Sequence, residues 1–123
     1  MKIAYVTPYF FPSIGGIVQH VYDLAKALIR DGFEVEVHAS AAYPPHIPNR
    51  IKRYRSIFDD IVVYYEKEYF PTLIRQFRKI KISHKVDLVH IHNYDRILAS
   101  STILKTEKEK IPTLITLHGS LLG

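Results

Sequence analysis

Five short runs rich in β-branched and aromatic residues, each separated by enough chain to hold a helix, are what most narrow the folds open to this sequence. Lys2–Thr7 (KIAYVT), Glu34–Ala39 (EVEVHA), Ile61–Tyr65 (IVVYY), Asp87–His92 (DLVHIH) and Pro112–Leu117 (PTLITL) each read as a strand. Between the first two, apolar residues recur at Ile17, Val21, Leu24, Ala25 and Leu28, the spacing of one helix face, and Gly32 is placed to close that helix in a left-handed conformation. Leu73, Ile74, Phe77 and Ile80 line one side of a basic amphipathic helix from Phe70 to about Ser83, and Ile97–Lys108 reads as a further helix. Ala41–Pro48 carries Pro44, Pro45 and Pro48 and no period, so it reads as a loop. Parallel neighbours need crossovers of this length, so the pattern predicts an α/β fold: a Rossmann-like, doubly wound parallel sheet of about five strands with Lys2–Thr7 near its centre.

With 123 residues, 47% of them hydrophobic and 24% charged, the chain suffices for one domain over residues 1–123. It has no cysteine, which removes disulfides, thiolate metal sites and cysteine nucleophiles and suits a cytoplasmic setting. The opening MKIAYVTPYFFP lacks the pattern of a cleaved signal, and no apolar run approaches membrane-spanning length. The net charge of +5 is local in origin: residues 50–85 hold ten Lys or Arg against four Asp or Glu. Arg50–Lys85 can therefore meet an anionic membrane surface, or it is simply a solvated helix face and loop. Nucleic-acid motifs are missing, so that partner has little support. Few Asn, Gln and Met beside many Ile, Tyr, Lys and Arg is the direction in which thermophile compositions lean.

In a doubly wound sheet ligands bind outside the carboxyl ends of the strands, which directs attention to the loops that follow them. Gly15 and Gly16 stand immediately before the first helix, where glycine lets a ligand approach the backbone and free N–H groups favour an anion such as phosphate. A bare Gly-Gly is also a common turn, and neither a dinucleotide fingerprint nor a P-loop is present. His90 and His92 alternate on a strand and so share a face, but the chain supplies no local third ligand, and no metal is expected. His118, with Gly119 behind it, falls at the rim after the last strand, where an imidazole can bond a sugar hydroxyl or phosphate or simply end a strand. Hydrolase signatures such as G-x-S-x-G and H-E-x-x-H do not occur.

The ordered set of segments MKIAYVTPYFFPSIGGIVQHVYDLAKALIRDGFEVEVHA, DLVHIHNYDRILA and PTLITLHGS resembles the amino-terminal domain of glycosyltransferase family 4, retaining enzymes of the GT-B fold. The resemblance implies transfer of a sugar from a nucleotide diphosphate-sugar to an acceptor hydroxyl, with retention and without an obligatory metal or other cofactor. It implies that Gly15 and Gly16 lie in the interdomain cleft beside the donor diphosphate and the acceptor. By the same resemblance His118 contacts the transferred sugar, His92 lies on the acceptor side, and domains of this kind mostly grip the acceptor. Phe33 stands where the family commonly has histidine, at a strand entry away from the cleft.

Within these 123 residues no Glu is followed by another eight positions later, so the family's E-x7-E motif is missing and the carboxy-terminal nucleotide-sugar domain is expected to be absent. The chain alone is therefore expected to be inactive, and the alternative is a non-catalytic binding or interaction module for carbohydrate, anionic lipid or protein. An open sheet edge near Pro112–Gly123 is expected to favour a homodimer or a separate partner chain. Lipid-linked acceptors in the family make a location peripheral to the inner membrane face the accompanying expectation.

Overall fold

The computed structural model describes residues 1–7, 10–11, 15–39, 53–66, 86–92, 103 and 106–116. Among these, the chain runs β1 (Lys2–Thr7), α1 (Gly16–Arg30), β2 (Glu34–Ala39), β3 (Arg53–Phe58), β4 (Ile61–Glu66), β5 (Leu88–His92) and β6 (Thr113–Thr116). The six strands form one sheet in the order β3-β4-β2-β1-β5-β6, parallel throughout except for the antiparallel β3. The expected α/β doubly wound sheet is thus present, with β1 inside it between β2 and β5. The expected loop at Ala41–Pro48 and helix at Phe70–Ser83 lie outside the described residues. Of the helix expected over Ile97–Lys108, residues 103 and 106–108 are described and helical, and the helix continues through 109.

β1 buries five of its six residues because both of its faces are covered. Ile3 and Tyr5 join Val18, Val21 and Ala25 of α1, with Val35, Val37, Ile61 and Val63, in the larger core. Ala4 and Val6 face the other way and pack with Val89 and Ile91 in a second core, bordered by Val86, Ile103 and Ile111. This is the two-sided burial that makes a parallel strand read as an unbroken apolar run.

α1 ends as its sequence predicts. Gly32 takes φ 93, and the Gly32 and Phe33 N–H groups donate to the carbonyls of Ile29 (3.1 Å) and Leu28 (3.0 Å), which closes the last turn with a glycine-specific motif. Phe33 packs against the larger core with Leu28. The aromatic residue at this position therefore serves the helix end, at the end of the sheet away from Gly15 and Gly16.

One strand was not expected. β3 pairs with β4 across a two-residue turn in which Asp59 and Asp60 take φ 48 and 68, so the sheet has an antiparallel edge and six strands in place of about five. Positive φ at both central residues matches the twist of a hairpin, and Asp tolerates it better than most residues. α1 secures the turn: the Tyr22 hydroxyl donates to the Asp59 carboxylate, and Lys26 Nζ lies 3.4 Å from Asp59 Oδ1 and 3.1 Å from its carbonyl oxygen. The Tyr22 hydrogen bond is the main reason the Asp59 carboxyl lies below its ordinary pKa, and together with Lys26 it outweighs the partial desolvation of that group.

Candidate functional site

The chain direction places the amino end of α1 and the carboxyl ends of β1 and β5 on one side of the sheet. β1 sends the chain to β2 on one flank and has β5 on the other, so this is the topological switch point at which open α/β sheets bind ligands.

Gly15 caps α1 with φ 157 and ψ 174, and among the described residues no side-chain hydrogen bond caps the helix start. The first intrahelical bond runs from the Gln19 N–H to the Gly15 carbonyl (3.1 Å), which leaves the earlier N–H groups of the turn without intrahelical partners. The first turn holds no acidic residue. Its partial positive charge is therefore not offset within the turn. Among the described residues, no atom beyond its own helix and chain neighbours lies within 4 Å of the place a Cβ on Gly16 would occupy, and its backbone conformation is open to any residue. Nothing in the described part of the fold requires glycine there.

The β5 histidines are on the same face, as their alternation requires, with ring centroids 4.2 Å apart. Tyr5 of β1, in register with His90, lies 5.2 Å from that ring and 5.3 Å from His92. His90 Nε2 is 2.6 Å from the Thr116 hydroxyl, which couples β5 to β6. Burial raises the Tyr5 phenol above its ordinary pKa, so Tyr5 stays neutral among these rings. His92 is fully buried at 0% exposure. Above it, edge-on at 5.6 Å and 70°, stands His20 of α1, which is exposed.

The structure therefore brings Gly15, Gly16 and His92 to one end of the sheet and adds His20, which motif reading missed. The available signal was helical spacing, since His20 is three residues from Ile17 and four from Leu24 and so flanks the apolar stripe. His118 and Gly119 lie outside the described residues. Among the described residues no three His, Asp or Glu side chains are grouped to hold a metal.

A second polar cluster occupies the opposite sheet face. Glu36 pairs with His38 at 2.5 Å and with Lys2 at 3.3 Å, while His38 stacks on Tyr64 with centroids 5.1 Å apart. A cavity of about 360 Å3 beside it is lined by Lys2, Glu36, Arg55 and Tyr64 among others. It lies toward the amino ends of β1 and β2, away from the strand ends where this architecture binds ligands.

Comparison with known proteins adds a family and a set of relatives. The model for Glycosyltransferase Family 4 matches residues 14–122. The chain is similar to the phosphatidylinositol N-acetylglucosaminyltransferase GPI3 subunit of Saccharomyces cerevisiae, at 30% identity over 130 residues, which cover 99% of this chain and 28% of that protein. It is similar to a phosphatidylinositol N-acetylglucosaminyltransferase subunit of Homo sapiens at 25% over 132 residues, 99% of this chain and 26% of the relative. The gpi3 subunit of Schizosaccharomyces pombe is 30% identical over 128 residues, 96% of this chain and 26% of the relative. The chain spans about a quarter of the length of these curated relatives.

Proposed function

Because the chain belongs to glycosyltransferase family 4, we propose that it forms the acceptor-side domain of a retaining transferase that moves a sugar from a nucleotide diphosphate-sugar to an acceptor hydroxyl. The names of its relatives make N-acetylglucosamine the sugar and an inositol-bearing lipid headgroup the acceptor of first choice. In the reaction the acceptor oxygen forms a bond to the sugar's anomeric carbon, the bond from that carbon to the diphosphate breaks, and the hydroxyl proton passes to the departing diphosphate. The N–H groups of the first turn of α1 hold phosphate, Gly15 and Gly16 admit it, His118 and Gly119 meet the sugar, and His92 shapes the acceptor side from beneath. No obligatory metal enters this scheme.

The observation that carries the reading is the space at Gly16. Among the described residues a side chain would be accommodated there, at a helix start without a side-chain cap on the switch-point edge, which suits close approach of a phosphate-bearing ligand better than any packing need seen in the described part of the fold. Among the described residues no helix is long and apolar enough to cross a membrane. Arg50–Lys85 offers the positive charge for peripheral, cytoplasmic-face attachment, and the relatives' designation as subunits makes a separate partner chain part of the proposal.

The test is Gly16→Ala. The expected outcome is an unchanged or slightly raised melting temperature, since alanine is the better helix former, together with about tenfold weaker binding of a nucleoside diphosphate or inositol phosphate, the effect of one lost charge-assisted contact. Equal binding by the variant would remove the phosphate role of the glycine pair. The 123 residues by themselves are expected to bind without transferring, because the leaving diphosphate would lack the second domain that carries the E-x7-E motif and most of the groups that stabilise its charge. Turnover of nucleotide-sugar by the purified chain would overturn that part.

A further inference from the structure

At the end of the sheet opposite Gly15 and Gly16, a cavity of about 360 Å3 opens between the end of α1, the starts of β1 and β2 and the hairpin of β3 and β4. No step of the proposed transfer uses it. Its volume falls at the lower end of the about 300–1,000 Å3 of small-molecule sites, which suits a single substituted ring better than a nucleotide. The lining divides by chemistry. Ile29, Phe33, Val35 and Val62 supply apolar surface, while Lys2 and Arg55 bring two cations and Glu34, Glu36 and Asp60 three carboxylates.

The polar wall is built into the fold. Glu36 is 2% exposed and bonds His38, and its carboxylate lies 3.3 Å from Lys2 Nζ. A buried ionic pair carries a desolvation cost that packed apolar residues would avoid. Beside a cavity that cost has a use, since it fixes the partly exposed Lys2 ammonium among the lining groups. Arg55 and Asp60 are exposed and come from the hairpin, whose turn is held to α1 by the contacts of Asp59 with Tyr22 and Lys26. The mixture of signs selects among ligands. A phosphate would meet three carboxylates against two cations, one of which already pairs with Glu36, and a simple cation would meet Lys2 and Arg55. A neutral ring with several hydroxyls suits both signs: its hydroxyls donate to carboxylates and accept from the ammonium and guanidinium, while its C–H faces lie against the apolar wall.

We propose that this cavity is a second binding site, separate from the cleft at the start of α1, which takes a neutral polyhydroxylated ring, a monosaccharide or a cyclic polyol, with Lys2 and Arg55 donating to its hydroxyls and Asp60 accepting from them. The inference goes beyond the proposed transfer and needs neither Gly15 nor Gly16 to hold phosphate.

The experiment follows the methyl resonances of Val35 and Val62 and the backbone amides of Gly15 and Gly16 by NMR in the full chain. It is titrated separately with N-acetylglucosamine, with myo-inositol and, as an open-chain control, with glycerol, and the titrations are repeated with Arg55→Gln and Asp60→Asn. The expected result is saturable shifts at Val35 and Val62 with at least one ring at millimolar concentration and none with glycerol, and the ring that responds distinguishes a sugar from a cyclic polyol. Each variant should bind about tenfold more weakly, the effect of one lost charge-assisted contact. Both replaced side chains are exposed, and Asn tolerates the φ of 68 at position 60, so both melting temperatures should stay near that of the parent. Should one variant lose stability, the other carries the comparison. Shifts at Gly15 and Gly16 while Val35 and Val62 stay still would put the ring in the cleft and overturn the inference, leaving the proposed function intact. Valine methyls that respond to neither ring, an equal response to glycerol, or equal binding by both variants would also overturn it. Failure of the proposed function shows itself separately, as equal nucleoside diphosphate binding by Gly16→Ala.

Discussion

Tyr65, at the carboxyl end of β4, donates its hydroxyl proton to the backbone carbonyl of Phe11, and so ties the segment that follows β1 to the hairpin. Phe11 also stacks on Phe58 with ring centroids 4.5 Å apart and meets Tyr22 edge-on at 5.6 Å. Phe11 is thus held by β3, β4 and α1 together. Tyr65→Phe keeps the ring and removes the donor, leaving the Phe11 carbonyl without this bond. The expected cost is about 1 kcal/mol, read as a lower urea midpoint at unchanged slope.

The same residue makes stability depend on alkaline pH. Burial, with a smaller contribution from the neighbouring Tyr54, pushes the Tyr65 phenol from an ordinary 10.0 up to about 12. An unfolded chain gives up this proton near pH 10 while the folded one keeps it, so the contribution is complete below pH 10 and is lost as pH rises toward 12. Melting temperature should fall across that window, and Tyr65→Phe should flatten the fall. Tyr5 and Tyr22 are also raised, the first by burial and the second chiefly by its bond to Asp59, so some slope should persist in the variant.

The hairpin turn gives the opposite sign at acid pH. The Asp59 carboxyl is held below its ordinary 3.8, first by the Tyr22 hydroxyl and then by Lys26. Its contribution is present above the unfolded value and disappears as pH falls through the folded one. Asp59→Asn keeps a residue that tolerates positive φ but loses the charge. At neutral pH it should melt below the parent, and the difference should vanish once pH has fallen below both values.

Glu36 and His38 form a buried pair on the face away from α1, with Lys2 as the partly exposed third member. Breaking a buried pair by removing one member costs up to about 3–5 kcal/mol. Glu36→Ala and His38→Ala should each approach that loss, whereas Glu36→Leu combined with His38→Leu should recover much of it. Additive losses in denaturant titrations would show that the two side chains do not act as a unit.

The two sheet edges differ in chemistry. Both edges expose apolar side chains, Ile57 on β3 and Leu114 (51%) and Ile115 (43%) on β6, but β3 adds the exposed Arg55 while β6 (TLIT) has no charge. An unguarded apolar edge invites strand pairing. Ile115→Lys should lower self-association in sedimentation velocity at tens of micromolar, and a parent chain that is strictly monomeric there would contradict the expectation.

How far the fold was legible follows from where each residue's partners lie. β1, β2 and β5 are covered on both faces and so appear in the sequence as apolar runs, and α1 carries its stripe and its closing glycine within its own length. β3 is an edge strand whose RYRSIF is neither an apolar run nor a strict alternation and lies inside the basic segment, and its turn uses Asp-Asp where glycine or asparagine would have marked a hairpin. That turn is held by Tyr22 and Lys26, contacts that no local pattern announces. Gly15 and Gly16 were visible because glycines before a helix are a local signal. His20 was not, since its meaning comes from His92, which only the sheet order brings beside α1.

β1 also has a kinetic consequence. Its two edges are satisfied at very different times in synthesis: Lys2 is in register with Glu34, but Ile3 must wait for Leu88, and the Lys2 N–H reaches the Asp87 carboxylate across 85 positions. At about 5–20 residues per second on the ribosome, the interval between the emergence of β2 and of β5 is several seconds. Throughout it a nascent β1-α1-β2 unit carries a central strand with one row of hydrogen-bonding groups unpaired, and the chain's greatest exposure to mispairing falls before its sheet is closed.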